Sequence, residues 1–187
     1  MKFIALLLLL LTPVVSHAQR DYFTPEEVEL IRDAQEIHKR IDVLTTAIDR
    51  RFAAMNVSVG GTTIKPKDLE TWGALPPSTR SQLLHDIKRI LQKAVDDIDN
   101  LAARPDSAIL PDPNDKKAKK PAEIFPLAVR NLAAAAQRYG PALKAEFDKE
   151  NTPAEKGSIL DSLEMCDAIV AAVAKLPAEV KKPKKGS

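Results

Sequence analysis

Histidine, cysteine and methionine, side chains that bind transition metals and haem iron, are few in this sequence: three, one and three residues respectively. His38 and Asp42 have the i, i+4 spacing of two ligands on one helix, but two ligands make a poor site. A di-iron bundle needs Glu three residues before His on two helices, whereas Gln35 and Gln82 precede His38 and His85. The sequence therefore predicts no metal centre.

Haem and thiol chemistry also have little support. Covalent haem attachment needs a Cys-x-x-Cys-His motif, which one cysteine cannot supply. Haem held between His38 and either Met55 or Met165 is conceivable, but both methionines stand at the spacing of core residues. Cys166 falls on the apolar seam of the last helix, where burial makes a thiol inert. We expect a buried structural cysteine (the alternative being an intermolecular disulfide), no catalytic residue and no cofactor.

Two lysine clusters are the clearest charge features. One lies in the proline-rich segment 104–121 and the other in the tail; they comprise Lys116, Lys117, Lys119 and Lys120, and Lys181, Lys182, Lys184 and Lys185. The first cluster is predicted to bind an anionic lipid, a polysaccharide or an acidic partner. The alternative is that these lysines only increase the solubility of the protein. The net charge of +2 argues against nucleic-acid binding. Asp96, Asp97 and Asp99 are interpreted as a solvated helix face.

The amino terminus reads as a secretory signal peptide. Lys2 precedes an apolar stretch at 3–15, and Ser16-His17-Ala18 supplies small residues for a cut after Ala18. The stretch is shorter than the roughly 20 residues that span a bilayer, so a permanent anchor is the weaker alternative. We predict a periplasmic or secreted protein that does not span the membrane after cleavage, divided into signal peptide 1–18, helical domain 19–177 and flexible tail 178–187.

The first helix of the domain has a complete start signal. Thr24 caps the helix, Pro25 occupies its first position and Glu27 can reach back to the cap. An apolar stripe, interrupted by Arg51, then predicts one amphipathic helix of roughly 30 residues. The segment 23–27 is similar to the Leu-Thr-x-x-Gln motif of small helical periplasmic stress chaperones, but the capping box accounts for all five residues, so no family is assigned.

Three further long helices follow a break in the pattern. In residues 57–64, apolar and polar side chains alternate around a Gly-Gly pair, a pattern that predicts either a hairpin or an irregular loop. Trp72 and Leu75 are expected to fold over the end of the domain. Helices are then expected from Pro76 to Pro105, over roughly 122–150 with a kink at Pro141, and from Thr152 to Pro177. The last of these begins with the same start signal as the first helix, because Thr152 and Glu155 have the spacing of a capping box. The fold class is all-α: an antiparallel up-down-up-down four-helix bundle with a small hairpin or loop insertion between helices 1 and 2. The alternative is a pair of helical hairpins that dimerises.

The function predicted from these features is that of an exported, non-enzymatic protein acting through its surface as a binding, adaptor or chaperone-like module of the cell envelope. Its partner would be an envelope protein or an anionic surface, and it would be a monomer or a homodimer. The alternative is a bundle that carries haem, a metal or a small apolar molecule between its helices, with His38 as the polar candidate near the core.

Overall fold

The computed structural model describes residues 21–61, 65, 68–105, 121–149 and 151–176. Within these ranges the chain forms α-helices and no strand, which confirms the all-α class. The predicted signal peptide, both lysine clusters and the tail lie outside them. The six helices are α1 (Pro25–Asp33), α2 (Ile37–Ala54), α3 (Leu69–Trp72), α4 (Arg80–Ala103), α5 (Pro121–Phe147) and α6 (Pro153–Ala172).

The first helix, predicted as one unbroken element, is two helices, so that prediction is wrong. α1 and α2 are separated by residues 34–36, and the chain reverses between them. Arg50 Nε lies 2.9 Å from Glu27 Oε1, whereas a straight helix would hold residues 23 positions apart at ~35 Å. Arg40 Nε donates to the Ala34 carbonyl at 3.0 Å and so satisfies an acceptor at the end of α1.

The helices α2 and α5 pack side by side and run in the same direction. Asn131 of α5 donates to Asp42 of α2 at 2.7 Å. Seven residues further along both helices, Arg138 donates to Asp49 at 3.1 Å. Because the two bonds occur in the same order along both helices, α2 and α5 are parallel.

The helices α4 and α6 form a second parallel pair. Arg80 near the start of α4 binds Glu155 near the start of α6 at 3.1 Å. Further along both helices, Lys88 binds Asp161 at 2.7 Å. α2 also packs against α4, and α5 against α6, so each of these four helices has two extensive neighbours.

Aliphatic side chains of these four helices form one continuous core. The apolar repeat of α4 is buried from Leu84 to Ile98, and so are the central apolar residues of α5. Each helix places fully buried side chains in this core, among them Ile41, Leu44 and Ile48 from α2, Ile87 and Leu91 from α4, Leu132 and Leu143 from α5, and Ile159 from α6. Burial of this apolar surface is the main stabilising contribution to the fold.

The helix ends follow the sequence signals closely. Capping boxes begin α1 and α6 at Thr24 and Thr152, as predicted, and a third begins α4 at Thr79. α5 continues through both Pro126 and Pro141. Of the segment predicted to be a hairpin or a loop, the described part, 57–61, contains no strand.

Candidate functional site

Four charged side chains with almost no exposed surface lie where α1, α2 and α4 meet. Glu27, Arg50, Arg51 and Asp86, here called the buried charge cluster, are each at most 1% exposed. Glu27 Oε1 accepts from Arg50 Nε at 2.9 Å and also from Arg51 Nη1. Asp86 Oδ2 lies 4.0 Å from Arg51 Nε. Two carboxylates therefore balance two guanidinium groups, as buried charges require.

Glu27 has two roles at once. Its Oε2 accepts from the Thr24 backbone N–H at 3.0 Å and completes the predicted capping box of α1. Its Oε1 faces the two arginines of α2. The same carboxylate thus starts α1 and fastens it to α2 across the chain reversal.

The two arginines extend this attachment to two segments without regular structure. Arg51 Nη2 donates to the Tyr22 carbonyl at 2.6 Å, which holds the chain before α1. Arg50 donates to the carbonyls of Gly73 at 3.2 Å and Ala74 at 2.5 Å. Its guanidinium lies 5.6 Å from the ring centroid of Trp72. The buried side chain of Arg50 therefore holds the backbone of the residues that follow α3 in place.

Large apolar side chains are exposed on the segment that Arg50 holds. Leu69 is 48% exposed and Leu75 is 39% exposed, while Trp72 is half-buried against the core. Trp72 packs as predicted, but Leu75 does not fold over the end of the domain. Leu69 and Trp72 are three residues apart in α3 and so share one helix face. We call Leu69, Trp72 and Leu75 the apolar patch.

Gly73 shapes the turn in the middle of the apolar patch. Its φ of 66° and ψ of −175° belong to a region open almost only to glycine. A Cβ at this position would also lie 2.8 Å from Cδ of Glu26. Glycine therefore allows the chain to turn sharply between Trp72 and Leu75 while it passes close to α1.

A cleft of about 340 Å³ opens between α4, α6 and the segment before α1, and its accessible wall is more apolar than polar. α4 contributes most of its wall. The lining residues are Tyr22, Ser81, Gln82, His85, Asp86, Arg89, Ala154 and Ser158. The Arg89 guanidinium lies 4.5 Å from the centroid of the Tyr22 ring, so the two side chains stack along one wall of the cleft.

A second polar cluster joins α2 to α5. The Tyr139 hydroxyl lies 2.9 Å from both the Thr45 carbonyl and Asp49 Oδ1 and has one proton to share between them. Burial, and secondarily the charge of Asp49, raises the pKa of Tyr139 well above its ordinary value. Arg138, which pairs with Asp49, also donates to the Val59 carbonyl at 3.2 Å. This cluster fixes the segment after α2 onto the parallel pair α2 and α5.

A third cluster lies where α4 and α6 begin and α5 ends. Arg80 binds Glu146 at 2.9 Å and Glu155 at 3.1 Å. Burial by itself would raise the pKa of Glu146, but hydrogen bonds from Lys149 and Arg80 outweigh it and lower that pKa. Hydrogen bonds from Thr152, with a smaller contribution from Arg80, lower the pKa of Glu155.

These lowered pKa values predict an acid-sensitive end of the molecule. The stability that Glu146 and Glu155 contribute is complete above their ordinary pKa of 4.5 and is lost as the pH falls through the lower folded-state values. Urea unfolding should therefore show a smaller free energy of unfolding at about pH 3 than at about pH 6. In the double variant Glu146→Gln, Glu155→Gln this difference should shrink; an unchanged difference would assign the acid sensitivity to other carboxylates.

The two histidines considered as ligands, His38 and His85, lie on different helices. His38 is buried on α2, and His85 is exposed on α4. Met55 and Met165 pack against the core. Among the described residues, no group of three or more His, Cys, Asp or Glu side chains is placed to hold a metal ion.

Of the three acidic residues interpreted as a solvated face of α4, two lie on the surface and Asp97 is partly buried. Asp96 and Asp99 are exposed, and Asp96 accepts from Gln92 one turn earlier at 2.8 Å. Lys93 binds Asp97 at 2.6 Å. The predicted surface-binding residues, Lys116, Lys117, Lys119 and Lys120, lie outside the described residues, so this hypothesis remains a prediction.

Cys166 is buried in the core, as predicted. Burial, together with the nearby charge of Asp167, raises the pKa of its thiol to about 12. Because the thiolate is the reactive form, the folded protein should react with a thiol reagent such as dithionitrobenzoate far more slowly than the urea-unfolded protein at the same pH. Equal rates in the two states would show that the thiol is accessible.

Sequence reasoning missed the buried charge cluster and the apolar patch. The cluster had a signal, since Arg51 interrupts an otherwise apolar stripe and a charge at a core position needs a buried partner. The partner, Glu27, could not be identified because the break at 34–36 was not expected. The cleft between α4, α6 and Tyr22 has no sequence signal, since these parts meet only in the folded chain.

Comparison with known proteins assigns this chain to no family. No protein-family model matches the chain, and neither the curated proteins nor the solved structures contain a significant match to it. Across the described ranges, no helix combines the length and the apolar character needed to cross a membrane.

Proposed function

We propose that this chain is an exported, non-enzymatic helical protein that binds another polypeptide through the apolar patch. The observation that carries the proposal is the exposure of Leu69 and Leu75 on either side of Trp72, within seven residues. Isolated exposed leucines are common on protein surfaces. Two of them beside a half-buried tryptophan form the kind of surface that partner proteins cover, because tryptophan is enriched among residues that dominate binding energy.

The way in which the apolar patch is held supports a binding role. Arg50 fixes the carbonyls of Gly73 and Ala74 and lies against Trp72. A partner would therefore meet side chains whose backbone is already ordered. Ordering an interface on binding lowers affinity, so a preorganised segment loses less free energy when it binds.

The proposal places this surface on a four-helix bundle. The contacts of α2 with α4 and α5, and of α6 with α4 and α5, support such a bundle, with the chain running up, down, up and down. In this arrangement the parallel helices are neighbours, and α4 and α5, which follow one another along the chain, occupy opposite corners.

Export is part of the same proposal and is supported by the sequence of residues 1–18. The partner would then be a protein of the periplasm, the envelope or the exterior, or a second copy of the chain. Amino-terminal sequencing of the protein from its own host should give Gln19 as the first residue, and an intact Met1 would contradict export with cleavage.

Photo-crosslinking in the native host tests the proposed surface. A photoreactive amino acid at Leu75 should give a discrete adduct, because the exposed side chain would face the partner. Leu160 on α6 provides the matched control: it is 51% exposed and lies on another element. A crosslinker there should give no such adduct.

The masses of the adducts decide the outcome. A discrete adduct from position 75 that disappears when Trp72 is also replaced by Ala supports the proposal, and its mass identifies either a second copy or another protein. The absence of any adduct at position 75, or the same adduct from positions 75 and 160, would refute the apolar patch as the binding surface.

A further inference from the structure

The size of the apolar patch limits the kind of partner that it can bind. Leu69 and Leu75 are each less than half exposed, and Trp72 is half-buried. Together the three side chains present roughly 300 Å² or less. Each partner in a stable complex of two folded proteins buries about 800 Å². The apolar patch therefore suits a short segment of another polypeptide that carries a few apolar side chains.

An exposed carboxylate lies directly beside the turn in the apolar patch. Glu26, in the first turn of α1, approaches Gly73 so closely that a Cβ on Gly73 would lie 2.8 Å from Cδ of Glu26. Hydrogen bonds from its own backbone N–H and from Thr24, together with the charge of Arg50, lower the pKa of Glu26, so its carboxylate is negative at neutral pH. The buried charge cluster, to which Arg50 belongs, already has two carboxylates for two arginines and does not balance the charge of Glu26.

The other charges near the apolar patch are also predominantly negative. Glu70 is exposed on α3, next to Leu69. Outside the buried charge cluster, the described residues of α1, of α3 and of the segment just before α3 include five carboxylates and two cations: Glu26, Glu29, Asp33, Asp68 and Glu70, and Arg32 and Lys65. Lys67 adds a third cation in the sequence, which still leaves an excess of two negative charges. Arg80, at the start of α4, is already paired with two carboxylates.

This arrangement of charge selects among the segments that could bind. A basic side chain of a bound segment would be attracted by the carboxylates beside the apolar patch, and an acidic one would be repelled. We propose that the apolar patch binds a short polypeptide segment that combines apolar side chains with lysine or arginine, the basic residues facing Glu26 and Glu70. This inference rests on the proposed function, since it specifies the partner of the same surface.

Two synthetic peptides test this inference on the full chain as its host accumulates it. The peptides have the same leucines, interspersed with lysine in one peptide and with glutamate in the other. At low ionic strength, the lysine peptide should shift the NMR resonances of Leu69, Trp72 and Leu75 to saturation, and the glutamate peptide should bind at least about tenfold more weakly. The affinity for the lysine peptide should fall as salt is added, because salt screens exposed charges.

Neutral variants test the two carboxylates. In the double variant Glu26→Gln, Glu70→Gln, the lysine peptide should bind about fivefold more weakly, the effect of losing two exposed ion pairs. The matched control Asp99→Asn, Glu164→Gln removes the same charge from exposed residues near the end of α4 and on α6. Within the described structure α6 contacts neither α1 nor α3, so the control should change the affinity by less than about twofold.

The outcomes separate this inference from the proposed function. A glutamate peptide that binds as tightly as the lysine peptide, or equal weakening in the double variant and its control, would overturn the preference for a basic segment and would leave the apolar patch as a surface for another kind of segment. Shifts confined to other residues, or no saturable shift with either peptide, would also overturn the inference. The proposed function itself is decided by the photo-crosslinked adduct at position 75.

Discussion

Replacing Glu27 with glutamine should lower the free energy of unfolding by about 3–5 kcal/mol, the usual effect of removing one partner from a buried ion pair. Glutamine can still complete the capping box of α1, because its side-chain oxygen can accept from the Thr24 backbone N–H. The variant therefore removes the charge and keeps the cap. Two buried arginines would then share Asp86 as the remaining carboxylate of the cluster. Urea unfolding, followed by circular dichroism, measures the change.

Glu155 offers the matched control for this experiment. It occupies the same position in the capping box of α6, but its partner Arg80 has a side chain that is 32% exposed. Glu155→Gln should therefore reduce stability by about 1 kcal/mol or less. Similar losses for Glu27→Gln and Glu155→Gln would show that burial of the charge cluster contributes little.

Replacing Arg50 with glutamine should also destabilise the fold by about 3–5 kcal/mol and should loosen one segment in particular. Arg50 is the donor to the carbonyls of Gly73 and Ala74, so its loss leaves these two acceptors without that partner. Hydrogen exchange should accelerate in the residues of α3 and in 73–79 more than in α5 or α6. Faster exchange spread evenly over the whole chain would contradict this attachment.

The control for Arg50 is Arg80→Gln. Arg80 also binds two regions of the chain, but it is partly exposed, and Lys149 would remain bound to Glu146. We expect a smaller loss of stability and unchanged exchange in α3. A comparable acceleration in α3 would mean that this short helix responds to any loss of stability.

The parts of the fold that were predicted correctly depend on local chemistry. Thr24 with Glu27, and Thr152 with Glu155, are capping boxes whose donors and acceptors lie within four residues of one another. The burial of Cys166 follows from its place in an apolar repeat. Such features require no knowledge of the rest of the chain, because helix caps and amphipathic faces are set by spacing alone.

The features that were missed depend on contacts between distant residues. The break at 34–36 contains neither proline nor glycine, so no local residue signals it. It becomes favourable because Glu27 can then meet Arg50 and Arg51, more than 20 residues later. Local helix preference is a weak influence that tertiary contacts regularly override.

The candidate binding surfaces also divide into features that the linear sequence shows and features that depend on contacts between distant residues. The sequence draws attention to the lysines at 116–120 because clustered charge is visible in a linear chain. The apolar patch is less visible, since Trp72 and Leu75 look like core residues until burial is known. The exposure of Leu75 depends on the turn at Gly73 and on Arg50, and neither effect can be read from residues 69–75 alone.

The most direct test of binding through the apolar patch is the affinity of the crosslinked partner for two variants of the protein, Trp72→Ala and Leu160→Ala. If the apolar patch is the binding surface, Trp72→Ala should weaken binding by about 30-fold or more, corresponding to about 2 kcal/mol, the level typical of a dominant interface residue. Leu160→Ala should leave the dissociation constant within about twofold of the parent value. Unchanged affinity for Trp72→Ala, in a protein that remains folded, would contradict the proposal that this chain acts through the apolar patch.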